Sequence, residues 1–129
     1  MNSTFASSYE LLLSAISELE LQKDSFVLHP GVDFSRKRKI SFRDMILSLL
    51  TMQGGSLSTT SYDFFQHRLP ADIPSLSAIH QQRAKLLPDA MSYLFYHFTQ
   101  KLPAGHTYDG FQLLACDGSD LNICYDPAD

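Results

Sequence analysis

Apolar residues recur at helical spacing in the first hundred positions of the chain and then give way to a continuous run. Phe5, Tyr9, Leu12, Ile16 and Leu19 alternate steps of four and three, which draws one stripe along an amphipathic helix of about four turns. In ISFRDMILSLLTMQGG, Ser41 is placed to cap a helix, Asp44 to complete a capping box, and Ile40 with Met45 to form a hydrophobic staple. Phe42, Met45, Ile46, Leu49 and Leu50 make the expected core stripe of that helix, and Gly54 with Gly55 its end. A short helix is expected from Ser58 through Tyr62 and Phe65 to about His67, followed by a proline-bearing link from Arg68 to Pro74.

The next helix begins near Ser75 or Ser77, with Leu76, Ile79, Leu86 and Leu87 inward and His80, Gln81, Arg83 and Lys85 among its polar positions. Pro88 is tolerated in a first helical turn, so PDAMSYLFYHFTQKL reads as a further helix with Met91, Leu94, Phe95 and Phe98 facing the core. Pro103 and Gly105 mark a linker. Beyond it, Phe111 to Cys116 lacks polar alternation except at Gln112, as in a strand covered on both faces. The pattern predicts a mainly α chain in three parts: an N-terminal helix and linker (1 to 30), a helical section (31 to 101), and the start of a strand-bearing unit (102 to 129).

Composition adds few constraints. A chain of 129 residues with 44% hydrophobic content is long enough for a packed core. Its apolar stretches fall short of the roughly 20 residues that cross a bilayer, and MNSTFASSYELLL lacks the basic start of a secretory signal, so a cytoplasmic protein is expected. Cys116 and Cys124 have neither CxxC nor zinc-finger spacing and read as buried free thiols. Charge changes the picture more. Residues 1 to 30 carry four acids against Lys23, residues 31 to 101 carry nine bases against five acids, and residues 102 to 129 carry five acids and no base. The net charge of minus 4 therefore conceals a basic middle section, where polyanion contact is to be sought.

Arg36, Lys37, Arg38 and Lys39 precede the helix that starts at Ser41, and Arg43 lies one turn into it. Cations there oppose the partial positive charge of the helix N-terminus, a conflict that an anion relieves. Exposed helix N–H groups plus these side chains would make a phosphate site, the sequence-independent part of DNA affinity. The plainer alternative is a solvated loop. The stretch from Ser41 to Leu87 would act as a helix-turn-helix-like unit whose third helix offers Gln81, Gln82, Arg83 and Lys85 to base edges.

In LLACDGSDL an apolar strand ends at Asp117, and Gly118 lets the backbone turn. The carboxyl end of a buried strand is where ligand groups collect in open sheets, so Asp117 is a candidate catalytic and metal-binding residue. Asp120 is a weaker one, because an odd offset in a straight strand sends it to the opposite face, about 10 Å on at roughly 3.3 Å per residue. The segment lacks the spacing of an EF-hand loop. Taken alone, either acid is better explained as the cap of a strand-terminating turn.

Three separated segments, RKRKISFRDMILSLLTMQGGSLSTT, PSLSAIHQQRAKLLPDAMSYLF and LLACDGSDLNI, together resemble the N-terminal part of bacterial insertion-sequence transposases of the DDE class, in the family named after insertion sequence four. The resemblance covers the chain from about Phe34 onward. It implies a helical DNA-contacting region followed by the first strand or strands of an incomplete α/β ribonuclease-H-like domain, with Asp117 as the first acid of the catalytic triad. It further implies a bacterial, nucleoid-associated protein whose partner is transposon-end DNA, with no membrane. The family's cofactor is Mg2+ or Mn2+; this chain, without the two later acids, is expected to bind none and to catalyse no transposition alone. A truncated regulator that pairs with full-length transposase or with another copy, and a helical interaction module with no nucleic-acid role, are the competing expectations. A first strand without neighbours would leave residues 108 to 125 disordered or paired with another copy.

Overall fold

The computed structural model describes residues 2 to 36, 39 to 52, 54 to 102 and 107 to 112; side chains are described from residue 8 onward within these, except at 57, 107, 108 and 112. The elements are α1 (Asn2–Leu21), a 3-10 turn (Lys23–Phe26), α2 (Phe42–Leu50), α3 (Leu57–Arg68), α4 (Leu76–Arg83), α5 (Asp89–Lys101) and a hairpin of β1 (Thr107–Tyr108) and β2 (Phe111–Gln112). Serine starts three of the helices. The hydroxyls of Ser41, Ser56 and Ser75 accept hydrogen bonds from the backbone N–H groups of Asp44, Thr59 and Ala78 at 3.0, 3.2 and 3.2 Å, satisfying donors that each helix leaves open.

Two apolar clusters meet at α2. Ala15, Ile16 and Leu19 of α1 pack with Ala90 and Leu94 of α5, Val27, and Phe42 and Ile46 of α2. The second cluster joins Ile40 and Met45 to Phe65 of α3 and Ile79 of α4, so both staple residues are buried together. Phe34 and Leu86 pack against both clusters. The α1–α5 seam is closed by polar contacts: Lys101 Nζ donates to Glu18 at 2.6 Å, and Gln22 Nε2 donates to the Tyr93 hydroxyl at 2.9 Å. Residues 26 to 28 run antiparallel to 85 to 87, with Leu28 N–H donating to the Lys85 carbonyl and Leu87 N–H to that of Phe26, each at 2.9 Å. This clasp ties the linker after α1 to the junction of α4 and α5.

Several expected core positions face outward. Tyr9, Leu50, Leu76 and Phe95 are exposed, Phe95 by 62%, because the buried stripes are narrower than the apolar spacing; Ala15 and Ala90 are among the fully buried positions. The second helix ends at Leu50, ahead of the glycines, where the Thr51 hydroxyl donates to the carbonyls of Leu47 and Ser48. Phe111 does begin a strand, β2, but its side chain is 73% exposed, and β1 pairs with β2 through a turn in which Asp109 and Gly110 have φ of 51° and 83°. Both values are positive, as a two-residue type I′ hairpin requires. The rest of the expected strand, Leu113 to Cys116, lies outside the described residues, and among the described residues there is no strand of a ribonuclease-H-like sheet.

Phe65 is fully buried at the centre of the second cluster. Phe65→Ala is expected to lower unfolding free energy by about 3–5 kcal/mol, measured by urea denaturation, through lost burial and an unfilled cavity.

Candidate nucleic-acid interface

One buried carboxylate shapes the loop that carries the first base of the cluster. Asp33 is only 4% exposed, and its Oδ2 accepts the backbone N–H of His29 at 2.9 Å and lies 3.2 Å from His29 Nδ1. Its Oδ1 lies 3.9 Å from Lys85 Nζ, just beyond the end of α4. Charge compensation of a buried acid thereby fastens residues 29 to 33 to α4. Gly31, at φ of 74°, takes the left-handed turn within the loop, and its N–H donates to Asp24 at 3.0 Å.

Phe34 then has φ of 55°, an unusual conformation for a bulky residue that costs on the order of 1–3 kcal/mol. Packing offsets this strain. The Phe34 ring meets Phe42 edge-on at 5.5 Å, and its carbonyl accepts from Lys23 Nζ at 3.1 Å. Arg36 leaves this fixed loop exposed to solvent.

The described bases of the middle section fall into two sets. Lys39 is bonded to Asp72, Arg43 lies 3.6 Å from Glu20 and donates to Ser17 at 3.0 Å, and Arg68 donates to Asp44 at 2.5 Å. Lys85 faces Asp33 and Lys101 faces Glu18. Arg36 and Arg83, both exposed, hold no carboxylate among the described residues. Lys37 and Arg38 lie outside them.

The N-terminus of α2 is answered from within the protein. Asp44, in its first turn, accepts the Ser41 hydroxyl at 2.8 Å and binds Arg68, so the conflict between cations and helix dipole is relieved without a phosphate there. On α4, Gln81 and Arg83 are exposed, whereas Gln82 is only 8% exposed. Gln82, three residues after Ile79, therefore does not share the exposed face of Gln81 and Arg83. Lys85, half-buried against Asp33, is likewise not a free arm.

Between the 31-to-36 loop and α4 lies a groove of about 420 Å³, walled by Val32, Phe34, Arg36, Ile40, Gln82 and Lys85. A larger one, of about 690 Å³, runs along α3 past Thr51, Asp63, Phe64, His67 and Arg68. It is a poorer anion site, because it includes the Asp63 carboxylate and its arginine is committed to Asp44.

Asp117, Asp120, Cys116 and Cys124 lie outside the described residues. Among the described residues no group of three His, Cys, Asp or Glu stands close enough to hold a metal ion, and no helix is long and apolar enough to cross a membrane. No family model matches the chain, and no curated protein or solved structure matches it.

Arg43 and Arg36 separate internally paired from exposed charge. Arg43→Ala is expected to cost about 0.5–1.5 kcal/mol by removing the Ser17 hydrogen bond and Glu20 pair, and Arg36→Ala to stay within about 0.5 kcal/mol of the parent. Parallel urea titrations check the ranking.

Proposed function

We propose that the chain is the DNA-binding part of a DDE-class transposase, holding transposon-end DNA by its phosphate backbone. The contacts proposed are those of Arg36, Lys37 and Arg38 in the basic segment and of Arg83 on α4. What carries this reading is the distribution of ion pairs: five described bases of the middle section face carboxylates, whereas Arg36 and Arg83 remain exposed without one. Arg36 lines a groove with Gln82 and Lys85, which lie on either side of Arg83 in the chain. Exposed cations without internal partners are the groups that release counterions when they meet phosphates.

Base reading, in this proposal, falls to Gln81 and Arg83, which α4 leaves exposed; arginine suits guanine edges and glutamine adenine edges. Lys39 and Arg43 act as supports of the surface, through Asp72 and through Ser17 and Glu20. The catalytic part of the reading rests on the resemblance around Asp117. That carboxylate is of the donor class that magnesium and manganese take, and either ion, when bound, supplies charge stabilisation to the attacking and leaving oxygens of phosphodiester cleavage.

The test is the salt dependence of affinity for a labelled DNA duplex, followed by fluorescence anisotropy. Each phosphate contact contributes about 0.9 to the slope of log affinity against log salt, so replacing Arg36, Lys37 and Arg38 together by alanine is expected to lower the slope by up to about 2.7. Identical affinity and slope in the parent and the triple variant would overturn the proposal.

A further inference from the structure

We infer that the groove between the 31-to-36 loop and α4 seats a single unpaired nucleotide of a DNA strand, an inference that rests on the DNA-binding reading and makes it more specific. Its volume of about 420 Å³ falls within the roughly 300–1,000 Å³ typical of small-ligand sites. The walls divide by chemistry. Val32, 69% exposed although β-branched and apolar, stands with Phe34 and Ile40, giving a surface against which the flat face of a base packs. Arg36 and Lys85 supply the cations.

Gln82 gives the groove a polar end. Its side-chain carbonyl accepts from Lys85 Nζ at 3.4 Å. An amide that lines a groove can donate to the carbonyl and ring-nitrogen acceptors of a base edge. Charge narrows the ligand further. Lys85 is offset by Asp33, so Arg36 supplies the one uncompensated positive charge of the groove among the described residues. One positive charge matches the single negative charge of a phosphodiester better than the multiple charges of a free nucleoside triphosphate. A base inside an intact duplex is stacked on both faces and cannot enter a concave site, so the nucleotide has to be unpaired.

The experiment compares the affinity of the whole chain for two labelled duplexes of identical sequence, one fully paired and one with a single-nucleotide bulge. Base packing predicts at least about five-fold tighter binding to the bulged duplex. Val32→Trp, which fills the groove from an exposed position, and Gln82→Met, which keeps the length but removes the donors, are each expected to reduce that preference, with folding checked by circular dichroism. Equal affinity of the parent for the two duplexes overturns the inference while leaving backbone binding intact. A preference that survives in both folded variants overturns the assignment to this groove, and failure of the parent to bind either duplex overturns the DNA-binding reading as well.

Discussion

The burial of Asp33 is the constraint on which the arrangement of the basic segment depends. A carboxylate at 4% exposure has to be compensated, and the chain does so with the His29 backbone N–H, the His29 ring and Lys85. These contacts join a turn after α1 to the end of α4, more than fifty residues away in sequence. Once residues 29 to 33 are held, Phe34 follows in a strained conformation that packing on Phe42 sustains, and Arg36 emerges at the rim of a groove. The clasp between residues 26 to 28 and 85 to 87 reinforces the same junction with backbone hydrogen bonds.

Helix α2 links this junction to the rest of the fold. Its Phe42 and Ile46 enter the cluster built with α1 and α5, while Met45 enters the one built with α3 and α4. A short helix buried on two sides fixes the segment that precedes it, so Ile40 is buried while Lys39 beside it is exposed. The same helix gathers internal charge: Asp44 receives Arg68 from α3, and Arg43 reaches Ser17 and Glu20 on α1. Five of the seven described cations of the middle section thus face internal carboxylates, which leaves Arg36 and Arg83 among the described residues.

Local signals in the sequence identified the helices well. Ser41, Asp44, Ile40 and Met45 marked the start of α2, and Ser75 was one of two starts expected for α4. Apolar spacing overstated the inner faces at Tyr9, Leu50, Leu76 and Phe95, because periodicity locates a stripe and only packing partners set its width. The burial of Gln82 and Asp33 was not legible, since it depends on a loop folding over a distant helix. Pairings such as Lys39 with Asp72 and Arg68 with Asp44 also join distant segments, and they changed the candidate surface from a run of four bases plus a helix face to a smaller set centred on Arg36 and Arg83. The Asp109-Gly110 hairpin did carry a local signal, a dipeptide suited to two successive positive φ values, and the expectation of a continuous strand passed over it.

The central claim, that DNA is held at the junction of the 31-to-40 segment and the end of α4, is tested most directly by backbone amide chemical shifts recorded while a duplex is titrated into the isotopically labelled chain. The account predicts that the largest salt-sensitive changes fall on residues 31 to 40 and 81 to 85, with α1 and α5 little affected. Changes confined to the α1–α5 face, or none at DNA concentrations that saturate binding by anisotropy, would contradict it.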